Sequence, residues 1–208
     1  PGADDITRYQ FDNGITVLTR ANFNSPSVVL NGYLSAGSIF DSDDKLGLAY
    51  FTAQCLMRGT ASHNMSDLYN LLETAGASLG ISASVHNVTF GGRSLVEDLP
   101  VMVSILSESL QRPVFPEDQV EKLRARLLTG IAMREDDTAE MASLSFDQLL
   151  FQNHPYGKPE DGFTETILKI TREDLIKFHK QQYGPMGMVI VAVGAVEPRA
   201  VINLVEQY

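Results

Sequence analysis

One cysteine, Cys55, and no tryptophan occur in 208 residues. A lone thiol excludes an internal disulfide, so the fold has to rest on its core, and a single domain of this length buries roughly 70% of its extended-chain surface. No run approaches about 18 consecutive apolar residues, which leaves no membrane-spanning helix. Basic residues are in deficit: 16 Lys and Arg stand against 26 Asp and Glu, a net charge of −10. Such a chain repels nucleic-acid phosphates and anionic lipid unless a basic patch intervenes. The densest basic group, Lys122, Arg124 and Arg126, is spread around a helix and flanked by acids, so nucleic acid is not an expected partner. The opening Pro-Gly-Ala-Asp-Asp lacks a Met, a basic segment and an apolar stretch. It reads as a processed or otherwise defined start, and the compartment of a soluble chain stays open between cytoplasm and periplasm.

What is present is ordinary globular material, 44% hydrophobic and 20% charged, with no polar tract long enough to stay disordered. Tyr9-Gln-Phe11 alternates, Asp12-Asn13-Gly14 is a hairpin signal, and Ile15 to Arg20 continues in β-branched residues. Residues 27–34 predict a third strand. A helix over 46–58 and another over 66–75 follow, then strands over 77–85 and 87–95. A helix ending near Arg112 comes next, and Pro113 and Pro116 separate it from a long helix that opens with Glu117 and Asp118. That helix carries an apolar face of Val120, Leu123, Leu127, Leu128 and Ile131. Further helices are predicted over 139–151 and, from a capping box at Thr171-Arg-Glu-Asp174, to about Tyr183. A buried strand over 186–194 and a helix from Glu197-Pro198 close the chain. Strands first, then helices, then a closing strand predict an α+β fold with an antiparallel-rich sheet backed by helices.

The segment richest in implication is residues 47–60, Gly-Leu-Ala-Tyr-Phe-Thr-Ala-Gln-Cys-Leu-Met-Arg-Gly-Thr. Leu46, Tyr50, Ala53, Gln54 and Met57 share one side of its helix, and Leu48, Phe51 and Cys55 lie on the other, so the helix is buried and its thiol with it. The run resembles the inverted zincin helix of the pitrilysin/insulinase peptidases (M16), H-x-x-E-H between a Gly-x-Ala lead and a basic-Gly-Thr exit. Tyr50 stands at the first His position, Ala53 at the Glu and Gln54 at the second His. Met133-Arg-Glu-Asp-Asp-Thr138 is similar to the family's sequence after its remaining zinc ligand, a Glu on a later helix, and that alignment puts Gly130 at the ligand position. Zinc takes imidazole, carboxylate or thiolate donors, and its water needs a base beside it. A phenol, a methyl group, a carboxamide and a glycine supply none of these. Inside a helix, Gly130 costs about 1 kcal/mol relative to Ala, which points to a tight contact or to relaxed constraint there.

The resemblance runs over nearly the whole chain. Residues 1–165 are similar to the family's N-terminal peptidase region and 166–208 to the start of the following segment, as in the first half of a longer two-domain protein. The opening hairpin, the acidic loop Asp41-Ser42-Asp43-Asp44 before the helix, and His154-Pro-Tyr-Gly157 all fit. So does the strand over 77–85, whose counterpart pairs with extended substrate, although Gly80 replaces an expected Asn. The implied fold is the LuxS/mitochondrial-processing-peptidase-like metallohydrolase fold.

Other constellations carry less. His63, His86, His154 and His179 show no i,i+3 or i,i+4 pairing and read as scattered surface or packing residues. Asp41, Asp43 and Asp44 lack the Gly and bidentate Glu of a calcium loop and read as a solvated helix entry. Glu135-Asp136-Asp137 reads as solvent-facing. Ser82, Ser84 and His86 alternate as on one strand face but lack an oxyanion element or orienting acid. Gly91-Gly92 and the 76–80 stretch do not form a phosphate cradle.

What the resemblance implies is a catalytically silent peptidase-like domain. It has no zinc of its own, zinc being expected only in a partner chain, and it pairs with an active zinc peptidase subunit or a second half of the same fold. Together they form a clamshell chamber for unfolded peptide. Tyr50, Gln54 and the strand residues Ser82, Ala83 and Ser84 are the expected peptide-binding residues. Two alternatives stand beside it: a structural or assembly core protein of a larger complex, and an active zinc endopeptidase using atypical ligands.

Overall fold

The hairpin turn forms where glycine permits it. Gly14 adopts φ +95° and donates to the Phe11 carbonyl at 3.0 Å, while the Phe11 N–H donates to Ile15 at 2.9 Å. A residue with a Cβ is strained at that φ, so Asp12-Asn13-Gly14 fixes the register between β1 (Thr7–Gln10) and β2 (Thr16–Ala21). The computed structural model describes residues 2–208; Pro1 lies outside them.

From there the chain runs through β3 (Ser27–Leu34), α1 (Leu48–Cys55), α2 (Met65–Thr74), β4 (Ser78–Ala83), β5 (Val88–Leu95), α3 (Leu99–Gln111) and α4 (Glu117–Glu135). It continues with α5 (Thr138–Leu150), α6 (Thr164–Lys169), α7 (Arg172–Gln182), β6 (Val189–Gly194) and α8 (Pro198–Gln207). The six strands form one mixed sheet in the order β1-β2-β6-β3-β5-β4. Every pairing is antiparallel except β2 with β6. The α+β architecture expected from the sequence is the one observed. Periodicity could not place β6: the closing strand enters the middle of the sheet, parallel to β2, and joins the two ends of the chain.

One face of the sheet is the core. Val17, Val28, Leu30, Leu34, Val88, Phe90, Ile190 and Ala192 point into it, none more than 7% exposed. Helices α1, α3 and α8 pack over these residues, on β4, β5 and β2 respectively. The expected apolar face of α4 is present, with Val120, Leu123 and Ile131 buried.

Several boundaries differ from the sequence reading. The first helix is shorter than 46–58: Gly47, at φ +94°, stands before Leu48, and after Cys55 the chain tightens into a 3-10 turn over Leu56–Arg58. The fourth strand ends at Ala83, so Ser84 and His86 lie in the β4–β5 turn and do not share a strand face with Ser82. The last strand starts at Val189, because Gly187 at φ +76° turns the preceding segment and leaves Met186 76% exposed. Helix α6 went unread. Its six residues are too few to show a helical period, and it is fixed tertiarily by Thr166, whose buried hydroxyl donates to the Leu46 carbonyl at 2.8 Å.

Candidate functional site

Asp41 positions the helix that resembles a zincin helix. Its Oδ2 accepts from the Gly47 N–H at 2.9 Å and its Oδ1 from the Ala49 N–H at 3.0 Å, satisfying donors that a helix leaves free at its N-terminus. The acidic entry loop is therefore not wholly solvated. Asp41 is half-buried, and burial outweighs those backbone hydrogen bonds and pushes its carboxyl up to about 7. Asp43 and Asp44 remain exposed, Asp43 pairing with Lys158.

Along α1, Leu48, Ala49, Phe51, Thr52, Ala53 and Cys55 are buried, leaving Tyr50 and Gln54 as its two half-open side chains, one turn apart. Phe51, fully buried, stacks under the Arg124 guanidinium of α4, 5.2 Å from the ring centroid. Ala53 is only 1% exposed, so no longer side chain fits there without displacing neighbours. Cys55 is buried as expected, and burial pushes its thiol up to about 12, which makes it inert as a nucleophile.

Helix α4 packs on α1. Gly130 is exposed on it, and a Cβ built there meets nothing within 4 Å. That excludes a tight contact as the reason for the glycine. One turn on, Arg134 pairs with Asp161 and donates to the Gly162 carbonyl at 2.8 Å, tying α4 to the segment before α6.

The edge strand β4 also packs against α1. Its hydrogen-bond phase follows from the Ser84 N–H donating to the Asn87 carbonyl at 2.8 Å and from the register that pairs Ala83 with Val88. Antiparallel ladders alternate, so Ser78, Gly80 and Ser82 bond toward β5, and the N–H and C=O groups of Leu79, Ile81 and Ala83 face away from it, toward the open edge. Ala83 thus keeps its side chain in the core, 6% exposed, while its backbone belongs to the edge. Ser84 does not. Its carbonyl accepts from Ser38 N–H at 3.0 Å and its hydroxyl donates to Asn87 O at 3.1 Å. Beyond it, Glu160 accepts from the Val85 N–H at 3.1 Å and His86 Nε2 meets the Tyr156 hydroxyl at 2.6 Å. The His-Pro-Tyr-Gly loop therefore clamps the β4–β5 turn and ends the usable edge at Ala83.

The residues present do not fit a zinc ion. Tyr50, Ala53, Gln54 and Gly130 offer no imidazole, carboxylate or thiolate, and among the described residues no group of three His, Cys, Asp or Glu side chains could hold a metal. Each histidine has local work instead. His63 bonds Glu108 at 2.9 Å, His86 bonds Tyr156, His154 accepts from the Tyr156 N–H at 3.3 Å, and His179 bonds the Leu110 carbonyl at 2.8 Å.

An edge strand laid beside the helix of an inverted-zincin frame, on an antiparallel-rich sheet, defines the class: a zinc-peptidase-like α+β domain. Residues 16–160 match the insulinase family (peptidase family M16), and residues 169–208 match the peptidase M16 inactive domain. The chain belongs to the insulinase family.

Among its curated relatives is the probable mitochondrial-processing peptidase subunit beta of Arabidopsis thaliana, 28% identical over 94% of this chain and 37% of the relative. Another is the mitochondrial cytochrome b-c1 complex subunit 1 of Bos taurus, 27% identical over 96% of this chain and 41% of the relative. The chain spans less than half the length of these relatives. Among solved structures, the peptidase M16 inactive domain from Pseudomonas fluorescens superposes with a TM-score of 0.91 at 25% identity, over 97% of this chain and 49% of that one. The periplasmic protease PqqL from Escherichia coli matches in fold with a TM-score of 0.89 at 19% identity, over all of this chain and 24% of that one. Among the described residues no helix is long and apolar enough to cross a membrane.

Proposed function

We propose that this chain is a catalytically silent member of the insulinase family that helps an active zinc peptidase, or a second half of the same fold, to enclose and hold unfolded peptide. The observation that carries the reading is the pairing of an intact edge with a helix that has no ligand chemistry. Leu79, Ile81 and Ala83 present backbone donors and acceptors beside Tyr50 and Gln54, while the family's zinc and base positions hold Tyr50, Ala53, Gln54 and Gly130. An extended peptide adds to such an edge through main-chain groups, so binding survives the loss of the metal. Ser82 flanks the edge, and Ser84 marks where it stops.

Metal content and peptidase activity test this together. The purified chain, dialysed with excess zinc, is expected to retain no stoichiometric metal by elemental analysis, to show no anomalous signal at the zinc edge near Tyr50, Gln54 and Gly130, and to cleave no peptide unaided. Stoichiometric zinc held at micromolar affinity with unaided cleavage overturns the reading and restores the active-peptidase alternative.

A second reading draws support from the relative named as subunit 1 of the cytochrome b-c1 complex: a structural core protein of a larger assembly. Stable copurification with non-peptidase subunits and no peptide binding at the β4 edge favours that reading; copurification with an active zinc peptidase favours the first.

A further inference from the structure

Gly80 leaves a gap among the side chains that flank the peptide edge. A glycine inside a strand weakens it, and it marks a bulge, a tight bend or a place where a ligand or another backbone comes close. Bulge and bend are excluded here, because the β4–β5 register runs unbroken from Ser78 opposite Arg93 to Ala83 opposite Val88. Neither backbone geometry nor crowding within the chain requires the glycine. Its φ is not positive, and a Cβ built on it meets nothing within 4 Å. Close approach from outside the chain is what remains.

Register shows what surrounds the gap. Ile81 and Ala83 are buried on the helix side, so Ser78, Gly80 and Ser82 face the other way. Gly80 pairs with Gly91, between the Ser78–Arg93 and Ser82–Thr89 pairs. A Cβ on Gly91 would collide with the Asn31 amide, so the Asn31 side chain closes the gap over β5. The result is a shallow notch, floored by two glycine backbones and open toward the β4 edge. Arg8, Arg20 and Arg93 all lie on this face, being paired with Leu18, Val193 and Val29. Arg93, nearest the notch, is exposed, and among the described residues it takes part in no ion pair.

An antiparallel peptide bonded to the outward groups of Leu79, Ile81 and Ala83 places the residue opposite Gly80 at a non-hydrogen-bonded position. There the Cα atoms approach to about 4.5 Å and side chains are closest. That side chain points to the same face as the missing one of Gly80. A flat ring lies over the Gly80 backbone with its edge toward Gly91, as aromatic neighbours cover glycines in sheets, and it comes within reach of the Arg93 guanidinium. A carboxylate gains Arg93 but leaves the glycine backbones uncovered.

We propose that Gly80 sets the specificity of the peptide edge, selecting an extended segment with an aromatic residue opposite it, and that Arg93 helps to hold that ring. The inference rests on the peptide-holding reading and goes past it by naming the side chain that is held.

The test uses the protein as expressed in its own host, with zinc chelated so that no associated peptidase destroys the probe. Fluorescein-labelled host peptides of alternating Thr and Ala carry Phe, Ala or Glu at the centre, and affinities are read by anisotropy. The repetitive host slides until its central residue meets Gly80. The Phe peptide is expected to bind about fivefold or more tighter than the Ala peptide. Gly80→Asn, which restores the residue expected in the family, is expected to bring that ratio close to one, and Gly80→Val to do the same. Both substitutions enter open space on an ordinary strand backbone, so the fold tolerates them. Arg93→Gln is expected to lower the ratio about twofold. Equal binding of the Phe and Ala peptides, tighter binding of the Glu peptide than of the Phe peptide, or a ratio unmoved by Gly80→Asn overturns the proposal and leaves the peptide-holding reading standing. Binding of none of the peptides overturns both.

Discussion

Asp41 and Glu108 are both carboxylates drawn out of water, and they end on opposite sides of their ordinary titration range. At each, burial opposes the charge. At Glu108, hydrogen bonds from the Thr60 hydroxyl at 2.7 Å, the Ser62 N–H at 2.9 Å and His63 Nδ1 at 2.9 Å outweigh it and bring the carboxyl down to about 2. At Asp41 the backbone N–H groups of α1 do not suffice, and the carboxyl rises to about 7. The balance between burial and hydrogen bonding decides the outcome at each. Glu108 ties the loop at Thr60–His63 to α3 with hydrogen bonds that its ionised carboxylate keeps at neutral pH. Asp41 mounts α1, which carries Tyr50 and Gln54, on an anchor that titrates near neutrality.

The largest effect expected from this contrast is at Glu108. Glu108→Ala removes the acceptor of three donors at once, one of them the buried Thr60 hydroxyl. It is expected to cost about 3 kcal/mol, read as a lower urea midpoint with unchanged m-value. At pH 5, where the folded protein keeps the Asp41 carboxyl protonated, Asp41→Ala removes a helix cap without stranding a buried charge and is expected to cost about 1–2 kcal/mol. A loss at Asp41 equal to or above that at Glu108 breaks the comparison.

The pH dependences have opposite signs. Glu108 binds its proton more weakly folded than unfolded, so its stabilisation is complete above pH 4.5 and is lost as pH falls toward about 2. Asp41 binds its proton more tightly folded than unfolded. Its contribution therefore declines as pH rises from 3.8 to about 7 and is fully unfavourable above that. Urea midpoints measured from pH 4 to pH 8 are expected to fall less steeply in Asp41→Asn than in the wild type, and a parallel profile sinks the assignment.

Two smaller changes serve as references where no buried carboxylate is involved. Gly130→Ala is expected to stabilise the protein by up to about 1 kcal/mol, since the helix gains propensity and the new methyl meets open space. Tyr50→Ala with Gln54→Ala is expected to cost about 1 kcal/mol, since Tyr50 packs partly against the core, while weakening capture of an extended peptide, measured by fluorescence anisotropy. Undiminished affinity in that double variant removes α1 from the peptide site.

Much of the architecture was legible along the chain. The Asn13-Gly14 turn, the Thr171/Asp174 capping box, the apolar face of α4 and the all-round apolar α1 each rest on interactions within a few residues, and all of them formed as read. The Asn64/Asp67 box that opens α2 is written in the same local chemistry. Glu108 gave no signal. A carboxylate inside a helix is ordinary, and its three donors lie more than 40 residues away in sequence. Asp41 was visible as a member of an acidic loop, but its burial depends on packing that no local pattern reports.

The sequence by itself determined the longer helices and the strands, α6 excepted, which of their faces are apolar, and which side chains stand on the helix of the zincin frame, because these follow from backbone geometry and side-chain identity. Tertiary structure alone decided that β6 enters between β2 and β3, that β4 is left at the edge with the backbone groups of Leu79, Ile81 and Ala83 facing its open side, and that three arginines distant in sequence share one face of the sheet. Each of these depends on pairings between strands remote in the chain. Such pairings are selected by the packing of the whole core, whose many weak contacts have no short-range counterpart in the sequence.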